Sequence, residues 1–316
     1  MKFLQRLKPR SVYLRYYHGS HVILTYINWR RTRQIDLHFQ LHDADLLWLT
    51  KRTPKRLKLD SRKLTGVIFK HWSKLSVKEL SLSECRNFQT RYLKCLPQTT
   101  LRCLVLSYIP AITGEHLALL PNTLMSLTVN HTRVNTLNHL KHMTHLEQLH
   151  LSGCPISDDQ LAYLSKLSLK RLNLVLTSIT DEGLHHLRAL PLVAIILCQT
   201  QITGSGLQYL DRKTLKYVSL SRCPNLTTDG LMHLQGLRLN HLSLMRTPIT
   251  CLEFLKKTNV NTLNLYGCIQ LQTAAFALEP PPQVKVLMAR GLPQLGPEFE
   301  MLVAKWPTQL QRNFHL

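Results

Sequence analysis

Apolar residues fall along this chain in one recurring motif, L-x-x-L-x-L-x-x-C/T-x-x-I/L-T-D-x-x-L-x-x-L, which returns about every 23 residues from near Ile35 to near the C-terminus. Its clearest copies are LEQLHLSGCPISDDQLAYL (Leu146 to Leu164), LKRLNLVLTSITDEGLHHL (Leu169 to Leu187) and LKYVSLSRCPNLTTDGLMHL (Leu215 to Leu234). The L-x-L segment alternates with period two and predicts a strand. The following apolar pair, such as Leu184 and Leu187, lies three apart as on one face of a helix. The second core leucine, or its substitute, falls at Leu37, Leu59, Leu82, Leu106, Val129, Leu151, Leu174, Leu197, Leu220, Leu244 and Leu265, with a degenerate twelfth copy near Ala289 and steps of 21 to 24 residues. No such unit can bury its apolar face alone, so the units stack. The pattern predicts an α/β solenoid of about twelve strand-turn-helix units, a horseshoe with a parallel sheet on its concave side and helices on its convex side.

The position three after the core is Cys85, Cys154, Cys223 or Cys268 in four units and Thr132, Thr177, Thr200 or Thr247 in four others. A small group able to hydrogen-bond backbone within a turn accounts for both. The predicted helices open on Ser157-Asp158-Asp159, Thr180-Asp181-Glu182 and Thr228-Asp229, a hydroxyl N-cap followed by acids that suit a helix N-terminus. Gly183, Gly206 and Gly230 lie inside these helices, where close packing against the next unit is expected. These motifs resemble the leucine-rich repeat family, in particular its cysteine-containing subfamily, over roughly 250 of the 316 residues. Repeats such as ITDEGL and ITGSGL are also typical of bacterial arrays.

Charge divides the chain unevenly. The net charge is +22, and residues 1–78 hold 18 Lys and Arg against Asp36, Asp43, Asp45 and Asp60, so this first quarter carries +14 of it. Such an end is expected to meet an acidic protein, nucleic acid or an anionic lipid surface. No apolar run is long enough to span a bilayer and none has a signal peptide's core, which predicts an intracellular, cytoplasmic or nuclear protein, or one acting in a host cytosol if it is an effector. Four of eight cysteines share one buried repeat position, which reads as packing in a reducing compartment rather than a disulfide framework.

Residues 1–33 precede the recognisable units and mix basic with apolar side chains, as a cap over the end of the stack would. Within and after them, Asn28-Trp29-Arg30-Arg31 followed by Gln34-Ile35-Asp36-Leu37 resembles the end of an F-box, where a tryptophan-basic pair precedes the first strand of a leucine-rich array. That resemblance implies a substrate receptor of a cullin-RING ubiquitin ligase, with the ligase adaptor engaged at the N-terminus. The expected organisation is therefore 1–33 as a basic cap or degenerate F-box-like segment, 34–292 as repeats and 293–316 as a C-terminal cap. Lys51 to Asp60 has the composition of a nuclear localisation signal. Leu57 and Leu59 are also an L-x-L core, so a strand is predicted there, with Arg56 and Lys58 on the concave face.

Side chains flanking the core leucines should point onto the concave surface. Twelve strands about 4.8 Å apart span roughly 50 Å, room for a protein partner rather than a metabolite. The residues expected to bind that partner are Arg56, Lys58, His150, Arg171, Tyr217, Arg222, His241, Arg246 and Tyr266. Tyr and Arg are frequent at interface hot spots, and Arg222 and Arg246 occupy the same position in neighbouring units, as a clamp for carboxylate or phosphate would. No phosphate-cradling loop, metalloprotease, nucleophile-elbow or dinucleotide motif occurs. Histidines bunch at His131, His139, His142, His145 and His150 without a carboxylate or cysteine to complete a metal set. Cys95, Cys103, Cys198 and Cys251 lie off the repeat position and are the cysteines left for chemistry. The expectation is a non-catalytic protein-recognition scaffold with no cofactor, no metal and no small-molecule substrate. Its partner is a protein, an acidic one included; the alternatives are a free-standing interaction protein such as a bacterial effector, or binding of nucleic acid or membrane through the basic quarter.

Overall fold

The structure, a computed structural model, describes residues 11–15, 33–38, 40–51, 54–71, 77–98, 100–277, 284–293, 295, 298–304, 306 and 309–310. It divides into two compact units, Met1–His150 and Leu151–Leu316. In unit 1 the strands are β1 (Ser11–Arg15), β2 (Gln34–His38), β3 (Arg56–Leu59), β4 (Glu79–Ser81), β5 (Cys103–Val105), β6 (Ser126–Thr128) and β7 (Gln148–His150), each parallel to the next. In unit 2 they are β8 (Arg171–Asn173), β9 (Ala194–Ile196), β10 (Tyr217–Ser219), β11 (Arg238–Ser243), β12 (Asn259–Asn264), β13 (Val286–Met288) and β14 (Gln309–Leu310), again parallel in chain order. Strands β2 to β13 fall on the twelve predicted units. The segment Lys51 to Asp60 contains β3, as its L-x-L core requires. β1 lies in the segment expected to be a cap, and pairs Ser11 with Gln34 through Arg15 with His38.

Alternation builds the core. Leu57, Leu59, Leu172, Leu174, Ile195, Leu197, Leu242 and Leu244 are all 2% exposed or less, while their flanking residues face away from the core, so each strand puts one side into the core and the other onto the strand face. Removing each such leucine from water contributes about 1.5–3 kcal/mol.

The return segment differs from the predicted helix. Most returns are short 3-10 segments, such as Val67–His71, Gly114–Leu119 and Ser205–Tyr209, with the longest at nine residues. α-Helix appears in α1 (Asp181–Leu184), α2 (Thr228–Leu231) and α3 (Glu298–Ala304). A unit of this length leaves at most about nine residues for the return, too few for an α-helix to be stable by itself. The capping expectation is corrected in detail. Thr180 Oγ1 accepts from Glu182 N–H, and Thr227, not Thr228, accepts from Gly230 N–H. Ser157 does not cap, and its hydroxyl donates to Asp159 instead.

The acids do more than complement a helix dipole. Asp181 accepts from the N–H and hydroxyl of Thr203 at 2.7 Å each, from Gly204 N–H at 3.1 Å and from Gly206 N–H at 2.7 Å, all in the following repeat. Asp158 takes the N–H and hydroxyl of Thr180 in the same way. In unit 1, Asp43 accepts from Thr65 N–H and hydroxyl and from Ile68 N–H. These carboxylates tie one repeat to the next through charge-assisted bonds. The helix glycines follow from this close approach, and they pack on the preceding repeat, not the next. A Cβ on Gly206 would lie 2.5 Å from the Asp181 carbonyl oxygen, and one on Gly230 would meet the Thr203 carbonyl.

The two residue types at the shared buried position act differently. Each threonine donates to a carbonyl in its own repeat, as Thr200 to Leu197 and Thr247 to Leu244, both at 2.6 Å. Three of the four cysteines are seen to reach back one repeat: Cys85 to Leu59, Cys223 to Leu197 and Cys268 to Leu244, at 2.9 to 3.1 Å. The carbonyls of Leu197 and Leu244 therefore each receive both a threonine hydroxyl and a thiol. Burial pushes the Cys85 thiol up to about 12 and raises those of Cys223 and Cys268, so none is a thiolate at neutral pH.

Candidate functional site

On the strand face of unit 1, charges are paired with one another. Arg56 on β3 meets Glu79 on β4 at 2.9 Å, since the two are partners in the sheet register. Asp60, in the turn after β3, accepts from His38 at 2.9 Å and from Lys58 at 3.3 Å. Burial raises the Asp60 carboxyl against the opposing pull of Lys58 and His38, and its Oδ1 has no hydrogen-bond partner among the described residues. A shallow recess of about 230 Å³ lies over these strands, lined by Gln34, Asp36, Arg56, Lys58, Glu79 and Cys103 among others. Arg56 and Lys58 thus sit on the predicted face, already engaged by carboxylates. The Cys103 thiol is raised, first by burial and then by Glu79, the reverse of what a nucleophile needs. His150, the remaining predicted residue in this unit, is on β7.

On the strand face of unit 2 the balance is different. Strands β8 to β13 and the turns that follow them contain no Asp or Glu. Tyr217 on β10 is register partner of His241 on β11, and its hydroxyl accepts from Asn240 at 3.2 Å. Tyr217 is 43% exposed, while burial lowers the His241 imidazole below its ordinary range and holds it neutral. Arg222 and Arg246 occupy the left-handed turn position of consecutive repeats, with φ of 58° and 55°. Their turns are locked by Arg222 N–H donating to Met245 and Arg246 N–H to Tyr266, both at 2.8 Å. The Arg246 guanidinium lies 5.7 Å from the centre of the Tyr266 ring, a cation–π arrangement. The next turn has Gly267 at this position, and a Cβ there would come within 2.9 Å of Arg246 Cγ. Glycine therefore leaves room for the arginine to lie toward Tyr266.

Beneath these residues runs a polar ladder in which Cys198 meets Ser219 at 3.0 Å, and Ser221 meets Ser243 at 2.8 Å. Ser221 and Ser243 are buried, although strand alternation alone predicted them on the surface. The structure brings Tyr217 beside His241, and Arg222, Arg246 and Tyr266 into one line of turns. Arg171 stands exposed on β8, apart from them.

The clustered histidines diverge. His131 stacks on Tyr108 at 4.7 Å between ring centres, and His139 pairs with Glu115 at 3.1 Å. Among the described residues no group of three or more His, Cys, Asp or Glu converges as a metal site would, and no helix is long and apolar enough to cross a membrane.

A family model for the leucine-rich repeat matches residues 142–164 and 165–190. No curated protein matches the sequence. Among solved structures, an internalin (inlF) of Listeria monocytogenes is 18% identical with a TM-score of 0.65, covering 96% of this chain and 86% of that one. A chain of the Rad7 and Elc1 complex of yeast is also 18% identical, with a TM-score of 0.48 over 86% of this chain and 84% of that one. At such identity the likeness to the internalin is one of fold. Repeat pattern, parallel strand order and family match together give this chain a leucine-rich repeat fold.

Proposed function

We propose that the chain is a non-catalytic protein-recognition scaffold whose contact surface is the strand face of unit 2, and that its partner presents an acidic segment there. The observation that carries this reading is the separation of charge in unit 2. Asp158 and Asp181 are spent on the turn side in bonds between repeats, while Arg222 and Arg246 stand with Tyr217 and Tyr266 on a strand face that has no carboxylate. Arginine and tyrosine supply contact area and charge-assisted bonds at low entropic cost. Selection from a random peptide library tests it. Peptides enriched in Asp and Glu beside an apolar residue, and lost when Arg222 and Arg246 are changed to Ser, are expected; an unenriched pool would contradict the reading.

A finer reading, that recognition serves a ubiquitin ligase, rests on the F-box resemblance of Asn28-Trp29-Arg30-Arg31 and Gln34-Ile35-Asp36-Leu37. Its first half lies outside the described residues, and its second half forms β2. Binding of a purified ligase adaptor to the intact chain, abolished by Trp29→Ala, is its expected result. Absence of adaptor binding at micromolar concentration would remove it.

A further inference from the structure

We infer that unit 1 carries a second binding site, a ladder of four cations along the entry ends of its strands, which takes the phosphate backbone of duplex nucleic acid. The ladder is Arg33, Lys55, Lys78 and Arg102, the residues just before β2, β3, β4 and β5. Strand register aligns them one per repeat, since Gln34 pairs with Arg56, Arg56 with Glu79 and Glu79 with Cys103. Their backbones are fixed by a repeated bond. The Arg33 carbonyl accepts from Lys55 and Arg56 N–H, the Lys55 carbonyl from Lys78 and Glu79, the Lys78 carbonyl from Arg102 and Cys103, all at 2.7 to 3.0 Å. All four side chains are exposed, and no carboxylate pairs with them among the described residues. Arg102 donates one bond to the Thr123 carbonyl at 3.0 Å, which leaves its other donors facing outward.

The fold does not ask for cations here. The same column holds Met125 and Glu147 further along unit 1, and Lys170, Val193, Lys216, Asn240, Asn261 and Lys285 in unit 2, where no two cations are neighbours and the same backbone bonds form around uncharged residues. Four like charges in register repel one another. A row that opposes folding, at positions open to any side chain, points to a ligand that needs it.

The ligand is linear and anionic. Three strand spacings of about 4.8 Å give the ladder a span of roughly 14 Å. One strand of a duplex presents a phosphate per about 3.4 Å of axis while winding about it, so a row of this length meets a few consecutive phosphates. An acidic peptide fits less well, because peptide recognition draws on apolar or aromatic anchors, and the neighbouring strand face offers Arg56 and Lys58 already bound to Glu79 and Asp60. Among the described side chains of this unit, Tyr108 is the exposed Phe, Tyr or Trp and stands beyond the exit end of β5, so among them base stacking of a single strand finds no platform at the ladder. Unit 1 as a whole has 24 Lys and Arg against 8 Asp and Glu, and unit 2 has 16 against 10, so the long-range field favours approach of a polyanion to this unit.

The test is fluorescence anisotropy of the intact chain with a labelled mixed-sequence duplex over a salt series. Arg33, Lys55, Lys78 and Arg102 are changed together to Gln, and compared with a variant in which Lys166, Lys213, Arg238 and Lys257 of unit 2 are changed to Gln. Both remove four exposed charges, so net charge is matched. The ladder variant is expected to lose affinity at least tenfold and to flatten the slope of log K against log salt by about 3 to 4, from about 0.9 per phosphate contact. The control variant should change the slope by less than about 1. Equal effects of the two variants would overturn the site. Tighter binding of polyglutamate, or of phosphatidylserine vesicles, than of the duplex at the same salt would overturn the choice of ligand.

Discussion

The two strand faces differ in their carboxylates, and that difference underlies the proposal that unit 2 carries the contact surface. In unit 1 Asp60 and Glu79 face the same side as Arg56, Lys58 and His38, and the charges neutralise one another across the strands. In unit 2 Asp158 and Asp181 lie on the turn side, where they bind backbone of the following repeat, and the strand face keeps its arginines uncompensated. One repeat motif thus yields a strand face that satisfies itself and another that does not. An exposed ion pair of the first kind contributes little stability, so its main effect is to mask cations that would otherwise be available.

The sharpest way to break the comparison is to disturb the turn side of unit 2. Gly206→Ala would place a methyl 2.5 Å from the Asp181 carbonyl oxygen, and a loss of about 3 kcal/mol is expected in urea denaturation. A loss below about 1 kcal/mol would show that the repeats are not held as closely as the account requires. Asp181→Asn comes next, at about 2–3 kcal/mol, because four donors lose a charged acceptor. Asp43→Asn in unit 1 should cost less, with three donors affected. Equal costs would remove the distinction between the units on this side.

The strand faces give smaller effects, separated by pH. Burial raises the folded-state pKa of Asp60, so the folded state holds that proton more tightly than the unfolded chain. Its favourable contribution is complete below the ordinary carboxyl range and is lost as pH rises through the folded value. Wild type should therefore gain on Asp60→Asn as pH is lowered from 7 toward about 4 in urea denaturation. The opposite trend would mean that Lys58 and His38 outweigh burial. His241 has the reverse sign. Its lowered pKa makes the folded state resist protonation, so stability falls as pH drops below about 6.5. His241→Gln should abolish that small dependence, and an unchanged profile would place it elsewhere.

Much of this was legible in the sequence. The leucine period located β2 to β13, and alternation put Arg56, Lys58, Tyr217 and His241 on one side. Three features were not legible, for physical reasons. The Asp181 bonds and the place of Gly206 depend on residues about 22–25 positions apart meeting only after stacking. Cys223 and Thr200 look interchangeable in the motif, yet the thiol bonds the preceding repeat and the hydroxyl its own. Ser221 and Ser243 look like surface positions, and their mutual bond buries them. For the arginines, sequence alone gave the shared repeat position. The left-handed turn and the opening at Gly267 that let Arg246 approach Tyr266 required coordinates.

The central claim is that unit 2, and not unit 1, presents the available strand face. It is tested most directly by titrating an acidic peptide from the library selection against three chains by calorimetry: wild type, Arg222→Ser with Arg246→Ser, and Arg56→Ser with Lys58→Ser. The account predicts a loss of roughly tenfold or more for the unit 2 pair, since each charge-assisted bond is worth about 1.5–3 kcal/mol, and a change within about threefold for the unit 1 pair, whose cations are already paired. Equal losses in both, or a larger loss in unit 1, would contradict it.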